Sequence, residues 1–519
     1  MDIPRQRPNN FNSASPLRFT ASFVLLTAGV AFAGMLSGTG DYRNAVVVTT
    51  LSLGAAFLLA APVTFKVVLL IWFAATPLAS FYLRLPVDRS IITYNRIVFG
   101  LLVVMLLLES HRTLKRTGAL LDTSSSTGRA SFSLSKFEIA WALLSLLALA
   151  SAVARSNNVA YATRIAIDTF WLPLLAFYFA RKHFDLRSGG RLLLLCCMTL
   201  ALFLFATGVF ELATGIDLFQ YKGSELVREG ERRVNGPFAA DSSFAIICLM
   251  LFLFLQAAPS LLRVRFDRAG KLVYVCANAA AALGALLSLF RIVAFALVIC
   301  WMAQRWAEHR AARQVSLKGS DLRRVLPVAS LIVAIVIVFG GWLVTMAPSI
   351  SGGRLAGPRS AFGRLATWQA AAEIALDNPA FGVGLANYQD YFDASHYYSD
   401  EPPEEVLDTK AADSPHSNLL WIASELGLSG LALYIAANLY LFLTGWRALK
   451  RAVDQRQRLA ASCFLALVVA YWIPGLTVAS GYYSDLNLYF LFLLGALSTQ
   501  FSGESTVSEQ FENTVEFKD

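Results

Sequence analysis

The 519-residue chain is 56% hydrophobic and only 15% charged, with a mean hydropathy of +0.55, a balance that excludes an ordinary soluble globular protein. Its formal net charge of +9 lends little support to nucleic-acid binding, because the basic residues gather between apolar runs and form no stripe interleaved with aromatics. The bilayer is the expected solvent for most of the chain, which predicts an all-α, polytopic integral membrane protein.

Apolar runs of roughly 17 to 25 residues give about fourteen candidate transmembrane helices. In chain order they are 19–36, 45–65, 67–83, 97–108, 139–154, 165–180, 192–213, 244–262, 272–290, 292–306, 325–346, 419–446, 459–480 and 488–501. The runs 97–108 and 292–306 are short and are expected to extend into polar flanks. The N-terminal segment, with basic residues, an apolar stretch and Ala31-Phe32-Ala33, has features of a signal peptide, and an uncleaved first span is the favoured reading. Cys196, Cys197, Cys248, Cys276, Cys300 and Cys463 all fall within the runs, lack metal-ligand spacing and read as small apolar residues. Basic clusters at Arg112/Lys115/Arg116, Arg181/Lys182, Arg263/Arg265/Arg268/Lys271, 305–324 and 447–458 all face inward if both termini are cytoplasmic. On that basis residues 1–346 hold transmembrane helices and an outer loop, 214–241. Residues 347–418 form a large periplasmic loop between two late spans, 419–501 the C-terminal transmembrane helices, and 502–519 a polar, acidic cytoplasmic tail read as disordered.

Two outer segments are long enough to carry chemistry. The first contains Val227-Arg228-Glu229-Gly230-Glu231-Arg232-Arg233-Val234-Asn235-Gly236-Pro237-Phe238, a charge run that alone fits a solvated face as well as a binding site. Arg291 sits at an outer turn between apolar runs, where an arginine must pair, snorkel or face a polar cavity, and Arg164 and Glu425 occupy similar positions. In the larger loop, Leu365, Trp368, Ala372 and Leu376 recur at helical spacing and predict an amphipathic helix on the membrane surface, ended by Asn378-Pro379. Gly382-Val383-Gly384 reads as a tight turn. Asp400, Glu401, Glu404, Glu405 and Asp408 lack a metal-ligand pattern and read as solvated loop. The chain re-enters the membrane at Pro415-His416-Ser417-Asn418-Leu419-Leu420, followed by Glu425-Leu426-Gly427 and Gly430. With Asp413 or Ser414 as N-cap and Pro415 at the first helical position, His416 is expected in the first turn. Glu425, nine residues on, is off the His416 face and is expected to pair with a neighbouring helix.

Taken in order, Arg233 to Phe238, Ser288-Leu289-Phe290-Arg291, Gly363-Arg364 with Trp368, Pro379 with Gly382 and Gly384, and His416 through Gly430 resemble the O-antigen ligase and polymerase family. The likeness spans roughly residues 192–433, and Ser417 separates a histidine and asparagine that are often adjacent in that family. The resemblance implies glycan transfer from an undecaprenyl diphosphate-linked oligosaccharide to a glycan acceptor at the periplasmic face of a bacterial inner membrane. A polysaccharide repeat-unit polymerase is favoured slightly over an O-antigen ligase acting on lipid A-core, and a polysaccharide or lipid-linked oligosaccharide transporter or flippase is the alternative from another class. Expected partners are the lipid-linked donor, the acceptor, membrane lipids and polysaccharide assembly or chain-length control proteins, with no nucleic acid and no cofactor.

Charge that grows on a departing diphosphate needs cations, and arginine supplies them bidentately without a metal. Arg233, Arg291 and Arg364 are the expected diphosphate ligands, with Arg228, Arg232, Arg359, Trp368 and Asn418 as further substrate-binding candidates. His416 is the expected catalytic base, ahead of His396 in the irregular 391–398 segment.

Overall fold

The computed structural model describes residues 64–85, 92–118, 134–219, 227–228, 231–232, 234–288, 290–313, 359–394 and 414–501. They belong to two compact units, Met1–Phe132 and Ser133–Asp519. In the first, α1 (Phe65–Tyr82) and α2 (Tyr94–Gly118) flank a two-residue antiparallel pair, β1 (Arg84–Leu85) and β2 (Ile92–Thr93), with Arg84 opposite Thr93. The buried Trp72 indole joins the helices, donating to Asn95 Oδ1 at 2.9 Å and meeting the Phe99 ring edge-on.

The second unit opens with α3 (Lys136–Ala154), started by a reciprocal cap between Ser135 and Glu138. Buried Glu138 also pairs with Arg181 at 2.5 Å. α4 (Val159–Ile165) runs through a π-helical segment, Ala166–Trp171, into α5 (Leu172–His183). That wide turn exposes the Phe170 carbonyl, which the Trp141 indole N–H takes up at 2.9 Å. Then come α6 (Leu186–Thr214), the hairpin β3 (Val227–Arg228) and β4 (Glu231–Arg232), α7 (Asp241–Leu261), α8 (Arg268–Leu287) and α9 (Arg291–Arg313). They are followed by α10 (Arg359–Asp377), α11 (Tyr388–Ala394), α12 (Asn418–Arg451), α13 (Gln455–Gly475), a 3-10 turn at Ser480–Tyr482 and α14 (Ser484–Ser498). Asp185 caps α6. Burial alone would raise its carboxyl, but bonds from the Arg187 and Ser188 amides and the Ser188 hydroxyl carry it below the usual carboxylate range.

Seven described helices, α1, α3, α6, α7, α8, α12 and α13, are long and apolar enough to cross a membrane, and Tyr94–Leu108 and α14 are shorter apolar helices. The expected spans 19–36 and 325–346, and 45–65 but for its last two residues, lie outside the described residues, as do the loop 395–413 with His396 and its acidic run. Every side chain from Phe244 to Leu255 is buried, so α7 is apolar on all sides and central. α8 instead exposes Leu272, Val273 and Val275 on an outer face.

Cross-helix hydrogen bonds fix direction. Tyr274 Oη donates to Leu255 O and Gln256 Nε2 to Asn278 Oδ1, making α7 and α8 an antiparallel hairpin. Gln304 of α9 donates to Leu253 O, and Cys463 Sγ of α13 lies 3.8 Å from the same carbonyl. Trp472 Nε1 donates to Asn438 Oδ1, aligning α13 antiparallel to α12. The N-termini of α7, α9 and α12 and the C-termini of α6, α8 and α13 therefore share one end. At the other end Arg456 lies within electrostatic reach of Arg187 and Arg263.

Candidate functional site

The site is organised by an interruption in α12. Gly427 has φ +69° and ψ −171°, outside any helix, and it splits α12 into two arms. Backbone groups freed by the break must find partners, and the segment after α10 supplies them. Leu428 N donates to Pro379 O at 2.7 Å, Val383 N to Ser424 O at 2.9 Å and Gly384 N to Glu425 O at 3.0 Å. The approach is backbone against backbone. A Cβ on Gly427 would lie 2.5 Å from Phe381 N, and one on Gly382, itself at φ +65°, would lie 2.6 Å from Leu426 N. Gly382 to Gly384 thus forms the expected turn, and its glycines are needed for contact with α12 as well as for conformation.

Glu425 locks this joint. Its buried carboxyl group accepts from Ala386 N at 2.9 Å, Tyr388 N at 3.3 Å and the Trp421 indole at 2.8 Å. The expected partner on a neighbouring helix is replaced by loop amides and a tryptophan one turn earlier on the same helix. From α3 the Arg155 guanidinium donates to Gly382 O at 2.6 Å, and Asn387 Nδ2 reaches back to Arg155 O at 3.0 Å. A Glu425→Gln protein keeps one acceptor oxygen but turns an NH2 group toward N–H donors. It is expected to lose about 1–3 kcal/mol, read as a lower thermal midpoint in detergent, and an unchanged midpoint would refute the anchoring role.

His416 lies outside α12. The helix begins at Asn418 with Ser417 as N-cap and no side-chain capping bond, and His416 has φ +47°. The expected cap at Asp413 or Ser414, with His416 in the first turn, is thereby corrected. A left-handed residue at 416 cannot continue a helix from Pro415, and Asn418 fixes the true start. Buried Asn418 accepts from Gly481 N at 2.7 Å and donates to Ser480 Oγ at 3.1 Å, so its amide is spent clamping the turn between α13 and α14.

α10 brings the larger loop to His416, its Trp368 indole donating to the His416 carbonyl at 3.4 Å. The buried face of this helix is Thr367, Ala370, Ala371 and Ile374, while Leu376 is 75% exposed. The small residues pack against Val383, Tyr388 and Leu420, while Trp368, Ala372 and Leu376 of the expected surface stripe are left partly or fully exposed on the other side of the helix. Tyr388 Oη closes the cluster by donating to Thr367 O at 3.1 Å. Arg364 lies one helical turn before Trp368, on the same side of α10, and Arg359 begins that helix.

Arg291 is the exposed first residue of α9. Arg233 lies outside the described residues, and Arg228 and Arg232 are placed only as backbone in the β3–β4 pair. The residues just after Arg233 are firmly seated. Val234 and Phe238 are buried, and Gly236 N donates to Glu211 Oε2 at 2.8 Å. A Cβ on Gly208 would touch Val234, Phe244 and Leu287 together, so this segment meets α6, α7 and α8 where α9 begins. The His416 segment, the Val234–Phe238 segment and the start of α9 at Arg291 thus share one end of the unit. Among the described residues, no three His, Cys, Asp or Glu side chains gather as a metal would require.

Sequence reasoning missed Arg155, Asn387 and Tyr388, whose role is to hold the joint. The visible signal was the pair of glycine motifs, Gly382-x-Gly384 and Glu425-x-Gly427, which are two sides of one backbone contact. A search of curated proteins finds no match. Residues 272–435, from α8 into α12, match the family model described as O-antigen ligase. This segment carries Arg291, Arg359, Arg364, Trp368, His416 and Asn418, and its similarity to that family agrees with the resemblance carried by the motif order.

Proposed function

We propose that the chain is a polysaccharide repeat-unit polymerase, transferring glycan from an undecaprenyl diphosphate-linked donor to a sugar acceptor at the periplasmic face of the inner membrane. The observation that supports this reading is the contact of α10 with the His416 segment, at the same end of the helical unit as the start of α9. Both termini are cytoplasmic on this reading, and residues 347–418 are periplasmic.

The acceptor hydroxyl gives its proton to His416 as its oxygen bonds the anomeric carbon. The bond from that carbon to the diphosphate oxygen breaks, and its electron pair leaves with the diphosphate. Arg233, Arg291 and Arg364 offset the departing charge, with Arg228, Arg232 and Arg359 assisting, so no metal is required. Attack opposite the leaving group inverts the anomeric centre. Trp368 holds the loop that carries His416.

Purified protein reconstituted with lipid-linked oligosaccharide is expected to make longer chains, with or without chelator. Arg291→Ala should lower that rate about 10²–10³-fold without changing insertion level, and full activity would remove Arg291 from the site. Translocation without bond formation would replace the reading by transport. The description of the matched family favours a second reading, ligation of finished polymer to lipid A-core. Loss of a ligase leaves polymer on its lipid carrier, whereas loss of a polymerase leaves single repeat units.

A further inference from the structure

At the end of the unit away from His416, Thr444, Arg447, Ala448 and Arg451 of α12, Gln457 of α13 and Phe501 beyond α14 enclose a cavity of about 240 Å³. The four α12 residues recur at three- and four-residue spacing and share one face. The walls are packed in place. The Phe501 ring meets Phe464 edge-on at 5.2 Å, and Gly445 lets α12 approach so closely that a Cβ would lie 2.8 Å from the Phe464 ring.

The lining has a one-sided polarity. Gln457 Oε1 is occupied by Val453 N at 3.0 Å, which leaves its NH2 group as the available end. The Thr444 hydroxyl proton is given to Tyr440 O at 2.6 Å. Arg447 and Arg451 are exposed, and among the described residues neither pairs with a carboxylate. Two guanidinium groups and an amide donor with no lining carboxylate form a setting for a phosphate oxyanion.

The neighbouring stripe of α12 sets the depth of this cavity in the bilayer. Exposed Trp446 stacks on Phe442, and Lys450 Nζ lies 5.1 Å above the Trp446 ring. A tryptophan at the end of an apolar helix with a lysine one turn beyond marks headgroup depth. Arg447 and Arg451 each follow one residue after these markers, at the same level. We infer that this cavity binds the headgroup phosphate of an anionic phospholipid in the leaflet at that end. Arg447 and Arg451 grip the phosphate, while Ala448 and Phe501 lie against the lipid's apolar part. This site is separate from glycan transfer and does not depend on it.

The test is native mass spectrometry of the full chain in neutral detergent, titrated with phosphatidylglycerol or phosphatidylcholine. Phosphatidylglycerol should be retained preferentially, and Arg447→Gln with Arg451→Gln should weaken that retention about tenfold or more. The thermal midpoint should be unchanged. Arg268→Gln with Lys271→Gln, at the same end but away from the cavity, should retain the lipid as the parent does. Equal retention by the cavity double variant, or an equal loss in the control, would overturn the assignment. So would displacement by millimolar inorganic phosphate, which would make the ligand a free anion. Retention seen only after removal of residues 502–519 would also overturn it, making the acidic tail the occupant.

Discussion

A His416→Ala protein is expected to insert and fold like the parent while its glycan transfer falls about 10²–10⁴-fold, the usual contribution of a positioned base. The separation of effects follows from where His416 sits. It lies before α12, so the first bond of that helix, Trp421 N to Ser417 O at 2.9 Å, does not depend on the imidazole. The Trp368 contact is to the backbone carbonyl of His416 and survives the substitution. Alanine is strained at φ +47°, whereas asparagine tolerates that region better. His416→Asn therefore controls for backbone strain and should lose transfer to the same degree. Rates measured on lipid-linked oligosaccharide, alongside thermal midpoints, check both proteins. If either variant kept the parental rate, His416 could not be the base.

Hydropathy read the helices well because a lipid-facing helix needs apolar residues on nearly every side, a signal contained within each segment. α7 and α12 were legible in this way, as was the stop at Asn378-Pro379. Local rules failed where a distant segment decided the outcome. Pro415 suits the first position of a helix, yet α12 starts three residues later because Asn418 is held by Ser480 and Gly481. Leu365, Trp368, Ala372 and Leu376 drew attention to one side of α10, whereas the face it buries against Tyr388 and Leu420 is the small-residue one, which hydropathy does not single out. Glu425 was visible as a membrane-level charge, while its partners Ala386 and Tyr388 lie in another loop. The arginines are a different case. Their chemistry could be read from residue type, whereas the placing of Arg291 at the end that holds His416 depends on the register of α7, α9 and α13, fixed at Leu253 O.

Gly427→Ala tests that joint from the backbone side. Its φ of +69° with ψ of −171° falls in a region nearly closed to other residues, and occupying it costs alanine roughly 1–3 kcal/mol. The new methyl would also press on the Ala380–Phe381 peptide. Relief requires the 379–384 segment to withdraw, which breaks the bonds from Leu428 N, Val383 N and Gly384 N, each contributing about 1 kcal/mol. The combined loss is expected to be roughly 4–6 kcal/mol, well above that of a typical surface change. Transfer should fall as well, because withdrawal of this segment moves α10 and with it the Trp368 indole beneath His416. The two variants are therefore distinguishable: His416→Ala loses rate at an unchanged thermal midpoint, and Gly427→Ala loses both. A Gly427→Ala protein with the parental midpoint and rate would show that α12 runs straight through residue 427, and the joint described above would have to be abandoned.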